Sequence, residues 1–138
     1  YASRGLGDVY KRQVLDLLDF DRRLEGVDVV VTGEGATDWQ SVFGKVMQGV
    51  GIHCKAHGIP AVAIVGSMGK GAEDIFEYGI ESMITTINGV MTLPEALDHA
   101  EELYLGAARR LFRMLRAGRK LSVAVNGVNS NDSHKRAE

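Results

Sequence analysis

Two carboxylates and three glycines crowd into one short stretch. Residues 33–45 read GEGATDWQSVFGK, with Glu34 and Asp38 within one short loop and Lys45 closing the run. Gly33 and Gly35 allow positive φ and close approach of backbone to a ligand. Glu34 and Asp38 could hold Mg²⁺ or accept a proton from an attacking hydroxyl. Lys45 could offset phosphate charge, and amides at the start of a following helix could bind an anion. These are ingredients of phosphoryl transfer. The competing reading is a tight turn in which Asp38 or Ser41 caps the next helix and Lys45 is solvated, because glycine-rich strand-to-helix loops are common in α/β domains.

Two familiar motifs are excluded. The dinucleotide fingerprint G-x-G-x-x-G has Asp38 at its third glycine position, and no acid ends the second strand. A Walker A loop needs a glycine where Trp39 stands and a Ser or Thr where Val46 stands. A second glycine-rich stretch, Gly66-Ser67-Met68-Gly69-Lys70-Gly71, offers amides and a cation to phosphate or carboxylate, or simply turns the chain. His53 and His57 lie one helical turn apart with Cys54 between them and could share a metal, but the zincin motif requires Glu where Cys54 stands. A partly exposed helix surface is the plainer account.

These residues need a scaffold, and hydrophobic periodicity supplies one. Val14, Leu17, Leu18 and Leu24 fall near one helical face, with Gly26 as a stop. The β-branched run 27–32 (VDVVVT) predicts a strand buried on both faces, ending at Thr32-Gly33-Glu34-Gly35. A helix over about 41–57 stops at Gly58 with Pro60 beyond it. Strands follow at 61–65 (AVAIV) and 82–87 (SMITTI), with a short helix over 72–78 between them. Thr92-Leu93-Pro94-Glu95 has capping-box spacing and opens a long helix to about 117, which Gly118 ends. Its arginines, 109, 110, 113 and 116, oppose the helix dipole and read as a solvated face. From about Asn126 the tail is polar and charged and predicts disorder.

Alternating strands and helices imply an α/β fold: a three-layer, mostly parallel sheet with flanking helices, truncated to about three strands and therefore left with an exposed edge. In such sheets ligands bind at the carboxyl ends of the strands, where residues 33–45 and 66–71 both fall. The chain of 138 residues, 45% of them hydrophobic, suits one core and not two. A formal net charge of −2 favours neither nucleic acid nor an anionic membrane, and no apolar run is long enough to span a bilayer. Cys54 is the only cysteine, which excludes an internal disulfide and points to the cytoplasm.

Residues 1–13 show no periodicity, and 8–13 (DVYKRQ) read as a translated sequencing adapter. The expected division is therefore a non-native segment at 1–13, an α/β region at 14–120 and a disordered tail at 121–138. Deleting residues 1–13 should leave unfolding free energy unchanged within about 0.5 kcal/mol. Thermal melts of the two chains check this, and a large loss would make the segment native structure.

The stretch VDVVVTGEGATDWQSVFGK, followed by GIPAVAIVGS, resembles the C-terminal region of the glycerate kinases widespread in bacteria. Their pattern runs approximately D-L-V-I-T-G-E-G-R-x-D-x-Q-[ST]-x-x-G-K, then a helix, G-[VI]-P-V, an apolar strand and G-S. Thr32, Gly33, Glu34, Gly35, Asp38, Gln40, Ser41, Gly44 and Lys45 match in order, and Gly58, Pro60, Gly66 and Ser67 match the continuation. The resemblance implies transfer of the ATP γ-phosphoryl group to a hydroxyl of D-glycerate with Mg²⁺. It implies Asp38 as proton acceptor or orienter of the attacking hydroxyl, Glu34 as a metal or substrate ligand, Asp38 beside it as a metal ligand, and Lys45 as electrostatic support. Thr32, Gly33, Gly35, Gln40, Ser41, Gly66 and Ser67 would contact substrate or phosphate. Two departures stand out: Ala36 replaces a common arginine, removing a bidentate donor, and Met47 replaces a common proline. The family's N-terminal Asp-Ser-Phe-Lys segment and glycine-rich loop have no counterpart here, so the expected partner is the missing N-terminal part, and the chain alone should be inactive. The alternative class is a non-catalytic α/β module that binds a small anion.

Overall fold

The computed structural model describes residues 14–15, 17–38 and 46–132, with side chains described to 121. Three strands, β1 (Val30–Thr37), β2 (Ala61–Met68) and β3 (Ile80–Thr85), form one parallel sheet in the order β1-β2-β3. The helices are α1 (Phe20–Arg23), α2 (Val46–Ala56), α3 (Leu93–Asp98) and α4 (Ala100–Asp132), with a 3₁₀ helix at Ala72–Tyr78.

The central strand explains the layering. Ala61, Ala63 and Val65 of β2 join one core with Met47, Val50 and Cys54 of α2, Ile75 of the 3₁₀ helix, and Leu15 and Leu24. Val62 and Ile64 point the other way, onto Ala107 and Leu111 of α4. Successive strand residues face opposite sides, so burial on both faces demands the continuous apolar run seen in the sequence. Helices on both faces give the three layers expected. None of the described helices is long and apolar enough to cross a membrane.

Several boundaries differ from those expected, each for a physical reason. Strand β1 does not end at Thr32: pairing continues through Gly33↔Ile64, Glu34↔Val65, Ala36↔Ser67 and Thr37↔Met68. Likewise β2 runs through Gly66 and Ser67 to Met68. Glycine ordinarily weakens a strand interior, but here its missing Cβ permits close strand contact. A Cβ on Gly33 would collide with the Ile64 carbonyl oxygen, and one on Gly66 with that of Gly35.

The N-terminal helix is broken at Asp19, which is left-handed (φ 50, ψ 50). The break resets the helical phase: Leu15 and Leu24 are buried, while Val14, Leu17 and Leu18 are exposed. The helix expected from Thr92 to about residue 117 is two elements. His99 lies outside both helical regions (φ −107, ψ 19) and separates α3 from α4. Gly118 does not end α4, which continues to Asp132, through backbone that the sequence pattern places in a tail. The capping box is as read: the Thr92 hydroxyl accepts from Glu95 N–H, and Glu95 accepts from Thr92 N–H at 2.7 Å. Gly58 also ends α2 as read, in left-handed conformation (φ 66), with Ile59 N–H reaching back to Cys54 O at 2.9 Å.

Candidate functional site

The parallel sheet brings residues 33–38 and 66–69 side by side at its carboxyl end. Gly69 N–H donates to Thr37 O at 2.7 Å, and a Cβ built on Gly69 would stand 3.0 Å from Asp38 Cβ. Asp38 therefore sits on the end of β2 directly after β1 stops. Gln40, Ser41 and Lys45 lie outside the described residues, as do Trp39 and Gly44.

Glu34 and its neighbouring glycines divide between the two faces of the sheet. Val30, Thr32 and Glu34 pair with Ala61, Ala63 and Val65, so Glu34 shares the face of the α2 core. One of its carboxylate oxygens, Oε2, is shielded from solvent. Gly33 pairs with Ile64 and turns toward α4. The glycine requirement at 33 and 66 is thus explained by strand contact, whereas Gly35 has open space where a Cβ would be. Thr37 is buried (1% exposed), and its hydroxyl has no hydrogen-bond partner among the described residues. Ser67 and Lys70 are exposed.

On the α4 side the strand ends open into a cavity of about 690 Å³. Gly33–Ala36, Ile64, Gly66 and Ser67 form its floor, and Leu93, Leu97 and Tyr104 form a wall opposite. Sequence reasoning missed that wall, because Leu93, Leu97 and Tyr104 stand at the same helical spacing as core residues such as Leu111. It also misplaced Arg110. Its Nη2 donates to Thr85 O at 2.9 Å and to Thr86 O at 3.5 Å, so it closes the end of β3 instead of joining a solvated face. Thr86 in turn bonds Val65 O through its N–H (2.8 Å) and Gly66 O through its hydroxyl (3.4 Å), tying β3 to the glycine end of β2.

His53 and His57 do converge, but on a carboxylate. Asp21 Oδ1 lies 2.6 Å from His53 Nδ1 and 3.2 Å from His57 Nε2. Among the described residues no group of three or more His, Cys, Asp and Glu could hold a metal ion. The His53 hydrogen bond, aided by the charges of both imidazoles, holds Asp21 below the usual carboxylate range. Burial pushes the Cys54 thiol up, as befits an unreactive core cysteine.

A depressed folded-state pKa means that the contribution of Asp21 to stability is complete above the ordinary carboxylate range near pH 4 and is lost as pH falls through the lower folded value. Melting temperatures followed from about pH 6 to pH 2 should fall more steeply for the native chain than for Asp21→Asn. Parallel profiles would show that the contacts of Asp21 with His53 and His57 add nothing.

The family model described as "Glycerate kinase family" matches residues 11–116. The chain belongs to that family. A glycerate kinase from Halalkalibacterium halodurans is 39% identical over 98 residues, covering 71% of this chain and 26% of its own length. A glycerate 2-kinase from Escherichia coli is 30% identical over 105 residues, covering 76% of this chain and 28% of its own. The crystal structure ascribed to a glycerate kinase 2 from Salmonella typhimurium superposes with a TM-score of 0.59 at 32% identity, covering 79% of this chain and 27% of that one. The chain thus spans about a quarter of the length of the glycerate kinases it matches. The matched region contains both strand ends, the cavity wall and Arg110.

Proposed function

We propose that this chain forms part of an ATP-dependent glycerate kinase, an enzyme transferring the γ-phosphoryl group of ATP to a hydroxyl of D-glycerate in the cytoplasm. The observation that carries the reading is the family match over 11–116 enclosing Glu34 and Asp38 at the carboxyl end of a parallel sheet. That is the end at which ligands bind in such sheets. Asp38, half-buried and held on the end of β2, is the candidate proton acceptor for the attacking hydroxyl. Glu34 and Asp38 are hard oxygen donors of the kind Mg²⁺ prefers, and would hold the ion together with phosphate oxygens and water. Mg²⁺, when bound, neutralises charge developing on the transferred phosphoryl group. Lys45 adds positive charge nearby. Thr32, Gln40, Ser41 and Ser67, with the backbone at Gly33, Gly35 and Gly66, are candidate contacts to substrate or phosphate, Gly33 and Gly66 also serving the strand contact described above.

Phosphoryl transfer depends on positioning both substrates and the metal, so a quarter-length chain is expected to show no D-glycerate-dependent ATP turnover alone. The test is a chimera in which residues 14–121 replace the matching segment of the Halalkalibacterium halodurans protein. ADP release dependent on D-glycerate supports the proposal. A folded chimera without turnover, in a host that is itself active, overturns it in favour of an anion-binding module.

A further inference from the structure

We infer that the cavity between the strand ends and α3–α4 binds a purine nucleobase, which makes it the nucleoside end of the phosphoryl-donor site. The inference rests on the kinase reading above. Its physical basis is a mismatch between the cavity and the acceptor substrate. Glycerate is a three-carbon acid with a polar group on every carbon, whereas the cavity of about 690 Å³ is lined by Ile64 on its floor and by Leu93, Leu97 and Tyr104 on its wall. Burying so polar a molecule against aliphatic walls would leave its groups without hydrogen bonds. A planar heterocycle suits such walls, and a cavity of this size falls in the range of small-molecule sites.

Four further features agree. Gly35 has open space above it, so a flat ring can approach the β1 backbone where any side chain would intrude. Tyr104, about half exposed, presents an aromatic ring at the wall. Leu93 and Leu97 are 70% and 66% exposed, large apolar groups that a bound base would cover. The floor of the cavity is also the segment that leads to Asp38, so a base seated there lies beside the carboxylate end of the sheet and not remote from it.

Adenosine is the deciding probe because it has no phosphate. In equilibrium dialysis the 138-residue chain should bind adenosine, ATP should compete, and inorganic tripolyphosphate should not. Azidoadenosine photolabelling followed by peptide mapping should mark the 93–104 region. Tyr104→Ala should weaken adenosine binding about tenfold, the scale of losing one base–aromatic stack. Gly35→Val should abolish binding by filling the cavity. Both substitutions are at exposed positions, and unchanged melting temperatures would separate lost binding from lost folding. Absence of adenosine binding, label elsewhere, or displacement by tripolyphosphate would overturn the inference. The two readings fail separately. Turnover by the chimera with adenosine bound elsewhere removes only the nucleobase site, and a labelled cavity in an inactive chimera removes only the glycerate kinase assignment.

Discussion

Replacing Asp38 with Asn in the active chimera should lower kcat for D-glycerate by about 10²–10⁴-fold, the range contributed by a positioned general base. The substitution keeps shape and removes the proton-accepting carboxylate. Asp38 follows β1 and packs on Gly69, and the Gly69 N–H bond to Thr37 O is made by backbone alone, so that bond survives the change. Folding should therefore hold, and melting temperature should move little. Steady-state kinetics and a melt on the same preparation separate the possibilities. A large fall in kcat with the melt unchanged assigns the base. Near-wild-type turnover would reduce Asp38 to a residue that fixes the start of the segment after β1. If KM for ATP rises while kcat holds, the carboxylate serves binding, as expected of a metal ligand and not of a base.

The parts of this fold that were legible in the sequence are those specified locally. The run AVAIV announced a strand buried on both sides, and the structure uses alternate residues of that run for its two cores. Gly58 with Pro60, and Thr92 with Glu95, marked helix ends through chemistry confined to a few residues. The strand ends were not legible, because glycine in isolation signals a break. Only the register Gly33↔Ile64 and the proximity of Gly66 to Gly35 show why glycine continues both strands here.

Long-range partners were invisible for a related reason. His53 and His57 displayed helical spacing, but the Asp21 they grip is 32 residues from His53 and belongs to another element. Arg110 looked like its arginine neighbours on α4 until the strand carbonyls of Thr85 and Thr86 were placed beside it. For the candidate site, the sequence singled out the acidic and glycine residues proposed to carry chemistry. It could not divide them between sheet faces, because a strand mistaken for a loop has no predictable alternation. Nor could it find the apolar wall, which forms only when α3 and α4 pack over the glycine end of the sheet.

The glycines at that end offer the sharpest structural test, because two of them should respond unequally to the same added methyl group. Gly66→Ala places a Cβ against the carbonyl oxygen of Gly35, a backbone atom that cannot rotate away. Either β1 or β2 must shift, which breaks the pairing that carries Ala36↔Ser67 and Thr37↔Met68. Overpacking of this kind costs about 1–3 kcal/mol, corresponding to a fall in melting temperature on the order of 10 °C for a domain of this size. Gly35→Ala adds its methyl to open space and should stay within about 0.5 kcal/mol of the native chain. In the chimera, Gly66→Ala should also depress kcat/KM, since moving β1 displaces Glu34 and Asp38 from the end of β2. A neutral Gly66→Ala would mean that the strands do not approach as described. Residues 33–37 would then be a loop after all, and the separation of Glu34 from the glycine face would fall with them.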